Sequence, residues 1–210
     1  MKIKKFTFNS FQENTYIVSS NKDCMIIDPG CSSQSEKNDL TSYIEDNKLN
    51  PIALINTHCH LDHIFGNNFI AKKYKLRPKM HKKDFPLLER SVDIAKIYNV
   101  PLDPPPLEVD FIKEKDTIQI GETMWEIIFT PGHAPGHICL LNKKDNVIIV
   151  GDVLFLMSIG RTDLPGCNHD DLIHSIQNKI INLDEKITVL CGHGDNTTIG
   201  FEKNNNPFLN

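Results

Sequence analysis

Apolar and polar positions alternate along residues 2–8, and β-prone runs follow at 15–19 and 24–28, separated by Asn, Ser and Gly. Asp28-Pro29-Gly30 closes the third run. Between 35 and 48, Leu40, Tyr43 and Ile44 recur at helical spacing among polar residues, which predicts an amphipathic helix. Residues 51–56 are almost continuously apolar, the pattern of a buried strand. Helical patterning resumes after His63 as far as about Tyr74, and again over 82–98. The second part of the chain repeats the theme. Strands are predicted at 117–120, 124–130, 138–141, 147–150 and 187–190, with a helix over 169–183. That helix carries Leu172, Ile173, Ile176, Ile180 and Ile181 on one face. Strand runs with helices interposed in both halves predict an α/β fold of two packed sheets with helices outside, a four-layer αββα sandwich. Pro104-Pro105-Pro106 reads as a long loop inside a single domain spanning 1–210, because no linker, charge block or short-period repeat accompanies it.

Composition narrows the partners. The chain has 210 residues, 40% hydrophobic and 24% charged, which excludes a disordered or collagen-like protein. With 23 basic against 27 acidic residues it lacks the basic footprint of a nucleic-acid binder. No apolar run reaches the roughly 18 residues that span a bilayer, so no membrane partner is expected. The start, Met1-Lys-Ile-Lys-Lys5, is followed by alternation and not by the roughly 7–15 apolar residues of a secretion signal. A cytoplasmic protein is expected. The 6 cysteines form no C-x-x-C pair and read as reduced, mostly buried thiols.

The histidines carry the chemistry. His58, His60 and His63 crowd into Thr57-His-Cys-His-Leu-Asp-His63, His133 lies in Thr130-Pro-Gly-His133, and His193 lies in Cys-Gly-His-Gly-Asp. His58, His133, Asp152 and His193 each lie just after an apolar strand run, so four loops could deliver ligands to one point. In an extended loop His58 and His60 point the same way and could share one metal, which His133 could complete. Asp62 and His63 are then free to turn toward a second metal, with His193. Asp152 is the natural bridge, since a carboxylate can offer one oxygen to each ion. Imidazole with carboxylate suits two divalent ions, zinc first, with iron or manganese also accommodated. Two such ions favour hydrolysis, through a bridging hydroxide and a polarised carbonyl or phosphoryl oxygen. Cys59, between two of the histidines, is expected to point away from them.

The segment His58-Cys-His60-Leu-Asp62-His63 resembles the H-x-H-x-D-H signature of the metallo-β-lactamase superfamily, and Thr130–His133, Asp152 and His193 match its remaining ligand positions in order. Two longer stretches are similar to short bacterial glyoxalase II-like hydrolases. One is Gly151-Asp-Val-Leu-Phe-Leu-Met-Ser-Ile-Gly-Arg-Thr-Asp-Leu-Pro-Gly166; the other runs from Gly192-His-Gly to Asn206-Pro-Phe-Leu209. The resemblance covers essentially the whole chain. It implies the αββα metallo-β-lactamase fold, with one metal on His58, His60 and His133, the other on Asp62, His63 and His193, and Asp152 between. It also implies hydrolysis of a small-molecule thioester, typically S-D-lactoylglutathione, to a hydroxy acid and a free thiol. Asp62 and Asp152 are the catalytic carboxylates on this reading; Asp62 also orients the attacking hydroxide or takes a proton. Arg161 is a candidate contact to an anionic substrate, or else an ion-pair partner of Asp163. The longer glyoxalase II enzymes carry a C-terminal helical extension that contacts glutathione, and this chain ends about 17 residues after His193. The same scaffold also supports iron-dependent persulfide dioxygenases and hydrolases of other thioesters or lactones, which remain the alternative readings.

Overall fold

The computed structural model describes residues 1–209. One sheet has six strands in the order β1 (Lys2–Phe8), β2 (Glu13–Ser20), β3 (Asp23–Ile27), β4 (Asn50–Ile55), β5 (Pro78–His81) and β6 (Asp110–Ile112). The first three pair antiparallel, and β3 to β6 pair parallel. Parallel neighbours need crossovers. These are α1 (Gln34–Asp46), then α2 (Leu61–Ile64) with α3 (Asn67–Tyr74), then α4 (Phe85–Ile97) followed by the proline-rich loop.

The second sheet comprises β7 (Thr117–Ile120), β8 (Thr123–Phe129), β9 (Ile138–Asn142), β10 (Val147–Gly151), β13 (Thr188–Cys191) and β14 (Thr197–Thr198). It is antiparallel except between β10 and β13, which are joined through α5 (His169–Ser175). A small hairpin, β11 (Leu154–Phe155) with β12 (Ser158–Ile159), follows β10, and α6 (Ile199–Asn205) follows β14.

The buried side chains define the layers. Tyr16, Val18, Met25, Ile27, Ala53 and Ile55 of the first sheet pack against Ile120, Trp125, Ile127, Ile138, Leu140 and Ile149 of the second. The outer face of the first sheet packs Ile17, Ile26 and Leu54 on Leu40, Ile44 and Ile70 of α1 and α3. The outer face of the second packs Leu141, Ile148 and Val189 on Leu172, Ile176 and Ile199. This is the expected αββα sandwich. Strands covered on both faces become uniformly apolar, which is why β10 reads Val-Ile-Ile-Val.

Local signals set the helix ends. Ser33 caps α1: its hydroxyl accepts from the Glu36 amide at 3.2 Å, and the Glu36 carboxylate accepts from the Ser33 amide at 2.8 Å. Some predicted elements differ. The helix predicted over 82–98 is a 3-10 turn at Lys82–Asp84 followed by α4. The helix predicted over 169–183 is α5 continued by one wider π turn at Ile176–Ile180. Strands β5, β6, β11, β12 and β14 are absent from the sequence pattern: two or three residues carry no periodicity, and Pro78-Lys-Met-His81 has one apolar side chain besides its proline. All six cysteines are unpaired, and five of them are buried. Among the described residues no helix is long and apolar enough to cross a membrane.

Leu140 is fully buried between the two sheets. Leu140→Ala is expected to lower stability by about 2–5 kcal/mol, measured by chemical denaturation, without changing metal uptake.

Candidate metal centre

The C-terminal ends of β4 and β10 and of β13, with the turn after β8, bring the expected residues to one edge of the sandwich. His60 Nδ1 lies 2.9 Å from His133 Nε2, and the ring of His58 stands 4.7 Å from that of His60 and 4.9 Å from that of His133. One ligand atom from each of these three histidines lies within 4.8 Å of the others. Asp62, His63 and His193 form a second such group. Asp62 Oδ2 is 3.1 Å from His193 Nε2 and 3.6 Å from His63 Nε2. Asp152 touches both groups: Oδ1 is 3.4 Å from His63 Nε2, and Oδ2 is 3.5 Å from His133 Nε2 and 3.4 Å from His193 Nε2.

A metal fits this arrangement. His58 Nε2, His63 Nε2 and Asp152 Oδ1 are buried atoms without a hydrogen-bond partner in the protein, which is costly unless something else engages them. Their type, imidazole nitrogen with carboxylate oxygen, is the donor set of a divalent transition metal. Glycine permits the close approach. A Cβ on Gly192 would stand 2.1 Å from Asp152 Oδ1, so a larger residue beside His193 would displace the carboxylate.

The opposite ring nitrogens are held by the fold. His133 Nδ1 donates to the Arg161 carbonyl at 2.8 Å. His193 Nδ1 faces the carbonyls of Phe11 and Gln12 at 3.1 and 3.2 Å, and His63 Nδ1 faces Asp28 Oδ2 at 3.1 Å. The Thr57 hydroxyl donates to Asp28 Oδ2 at 2.6 Å and so accepts from His58 Nδ1 at 3.1 Å. Each contact turns the ring so that Nε2 points toward the centre. The loop of His193 is clamped from the other sheet. Asn14 Nδ2 donates to the carbonyls of Cys191 and Gly194, and the Tyr16 hydroxyl to that of Cys191 at 2.7 Å.

Burial and charge divide the histidines. Burial drives His58 well below its ordinary range, and neighbouring His63 adds to this. Burial and the neighbouring His133 take His60 down to about 3. Burial also lowers His133, against the pull of Asp152. These three are neutral and ready to ligate. For His63 burial opposes the charge, but Asp152 and Asp62 outweigh it and raise the group well above 6.5. His193 is raised to about 10, its hydrogen bonds to Asp152 and Asp62 outweighing burial. The carboxylates respond in kind: burial would raise Asp152, yet His63 and His193 hold it well below its ordinary range.

Several groups that shape the centre were not predicted. Asp28 accepts from the Thr57 amide and hydroxyl, and it sits at a strand end like Asp152, so the same positional rule could have found it. His137 Nε2 accepts from the Asp152 amide at 3.1 Å. Glu13 is fully buried, with Oε1 3.9 Å from His63 Nδ1 and no hydrogen-bond partner for that oxygen. Burial raises it far above the carboxylate range. Asp84 joins two ligand loops through backbone amides, and burial pushes it up to about 6. Nothing in a sequence marks Glu13 or Asp84, since each reaches the centre from a remote element. Cys59 turns away as expected, its sulfur 3.6 Å from that of Met80. Arg161 is exposed and ion-paired through two 2.7 Å bonds to Asp163.

The profile of the metallo-beta-lactamase superfamily matches residues 9–193 of this chain. The chain belongs to the metallo-β-lactamase superfamily. It is 34% identical over its whole length to the probable metallo-hydrolase YqgX of Bacillus subtilis, covering 98% of it. It is 35% identical over its whole length to the hydroxyacylglutathione hydrolase GloC of Haemophilus influenzae, covering 99% of that protein. Among solved structures it resembles the BLEG-1 B3 metallo-β-lactamase, with a TM-score of 0.89 and 34% identity over 99% of each chain. It also resembles TTHA1623 in a di-iron-bound form, with a TM-score of 0.88 and 32% identity over 98% of this chain and all of that one. The chain is thus a metallo-hydrolase of this superfamily, with His and Asp groups suited to divalent ions.

In the metal-free protein the carboxylates hold His63 and His193 above the ordinary imidazole range, while burial holds His58, His60 and His133 below it. Metal uptake at pH 7.5 is therefore expected to release protons from the Asp62/His63/His193 group, read by calorimetry in buffers of different ionisation enthalpy. Lowering the pH toward 5.5 should weaken that group before the three-histidine group.

Proposed function

We propose that this protein hydrolyses a small-molecule thioester, such as S-D-lactoylglutathione, to a hydroxy acid and a free thiol, using two divalent metal ions, zinc foremost. The observation that carries the reading is Asp152, whose carboxylate reaches both groups, Oδ1 facing His63 and Oδ2 lying between His133 and His193. The likeness to GloC over the full chain supports the thioester as substrate class. His58, His60 and His133 would hold one ion and Asp62, His63 and His193 the other, with Asp152 shared. Bound there, the ions supply Lewis acidity and a water activated at neutral pH.

The chain's own groups then divide the work. The water oxygen adds to the thioester carbonyl carbon, and the C–S bond breaks as the thiolate leaves. Asp62 orients the water, takes the proton it gives up and returns it to the departing thiolate. Burial would raise this carboxyl, but His63 and the His193 hydrogen bond hold it below its ordinary value, so it enters the reaction ionised. Backbone carbonyls behind His133 and His193 keep the rings aimed at the centre while charge develops. Arg161 lies on the same loop as the carbonyl that holds His133, and it is the candidate contact for an anionic thiol moiety.

The direct test follows thioester absorbance when zinc-loaded protein meets S-D-lactoylglutathione, with Asp152→Ala alongside. Rapid loss that falls to background in the variant is expected. Undiminished turnover in Asp152→Ala at full metal loading would overturn the reading, as would an inactive protein carrying two metals. A β-lactam arm is informative because BLEG-1 is a β-lactamase by name. Arg161→Ala is expected to raise KM for the anionic thioester while kcat holds, measured by steady-state kinetics.

A further inference from the structure

Asp84 ends the 3-10 turn after β5 and precedes α4, where an aspartate side chain commonly caps the helix. It does not do so here: α4 has no side-chain cap, and its first turn carries proline instead. Both carboxylate oxygens reach out of their own element. Oδ2 accepts from the Cys59 amide at 2.6 Å, and Oδ1 from the Gly136 amide at 2.6 Å. The side chain is fully buried, so neither bond is shared with water.

The two amides belong to the two loops that hold His58, His60 and His133. Cys59 lies between His58 and His60, and Gly136 lies three residues after His133. Two short bonds from one carboxylate, each to a backbone N–H, set the distance between those loops. Gly136 is built for the approach: a Cβ there would come 2.4 Å from the Asp84 nitrogen and 2.7 Å from its Cβ. The Cys59 side chain packs with Met80, Ile64 and Leu88, and its thiol also meets the Asp84 carboxylate. Asp84 itself is outside all three groupings of metal-ligand side chains, the third being Asp28, His58 and His63.

We infer that Asp84 is a positioning residue for the metal held by His58, His60 and His133, clamping the His58–Cys59–His60 segment to the loop of His133. The inference rests on the metallo-hydrolase reading, but not on the identity of the substrate. Asparagine at this position keeps the volume and can still accept one amide. Its NH2 group would face the other amide, donor against donor, and that loop would be released.

The test measures zinc affinity, by competition with a chromophoric chelator, for Asp84→Asn in two single-site backgrounds. His193→Ala leaves the three-histidine group, and His60→Ala leaves the Asp62/His63/His193 group. Zinc binding at least tenfold weaker in the first background, and within twofold of the parent in the second, is expected. Equal weakening in both backgrounds would mean general loosening and overturn the assignment; unchanged affinity in the first would do the same. Gly136→Ala, which pushes the same two elements apart, should reproduce the selective loss and serves where Asp84→Asn does not fold. Leu140→Ala controls for lost stability and should leave both affinities unchanged. A protein that binds zinc in this pattern but cleaves no thioester would refute the substrate and leave Asp84 in its role.

Discussion

The centre depends on holding ionisable groups out of water at the edge of two packed sheets. Glu13, Asp28, His58, His63, Asp84, His133, His137 and Asp152 are all buried. A charge in such a place is tolerated only with opposite charge or hydrogen bonds around it. The arrangement meets that demand by interleaving. Asp28 faces His63, Asp62 faces His193, and Asp152 faces His63, His133 and His193. Among these groups the atoms left without a hydrogen bond are Glu13 Oε1, behind His63, and His58 Nε2, His63 Nε2 and Asp152 Oδ1, which face the centre.

Rigidity comes from the layers behind. Each loop of candidate ligands follows a strand whose side chains lock into the central or an outer apolar layer, so the loops start from fixed points. The loops are then tied by main-chain partners: carbonyls behind His133 and His193, and amides before Asp84, Asp28 and His137. The two sheets also meet directly at this edge. The Asn14 amide donates to the Gly192 carbonyl at 2.7 Å, joining the start of β2 to the loop after β13. Ligands from both halves of the chain are therefore aligned by backbone bonds as well as by side-chain packing.

Much of this was legible in the linear pattern. The helix after Ser33 announces itself by spacing, and the apolar runs at 51–56 and 147–150 mark strands. His58, His60, Asp62, His63, His133, Asp152 and His193 could be named because metal donors recur immediately after such runs. Short strands such as Pro78–His81 and Leu154–Phe155 could not, since their existence depends on a neighbour's hydrogen bonds. The turn at Lys82–Asp84 was hidden for a related reason. Its break from α4 accompanies an aspartate directed at two distant amides, and the periodicity of residues 82–98 contains no sign of them.

The sequence by itself determined the layered class and singled out the candidate metal donors with their division about Asp152, because both follow from local patterns: burial periodicity, turn residues and donor spacing. Only the tertiary structure decided which ring nitrogen each histidine presents and which atoms of Asp152 meet which ring. It alone brought Glu13, Asp28, Asp84 and His137 to the centre. Those outcomes depend on contacts between residues tens of positions apart, such as the 2.6 Å bonds from Asp84 to Cys59 and Gly136. Bonds of that kind exist only once two sheets have packed and excluded water from the seam between them.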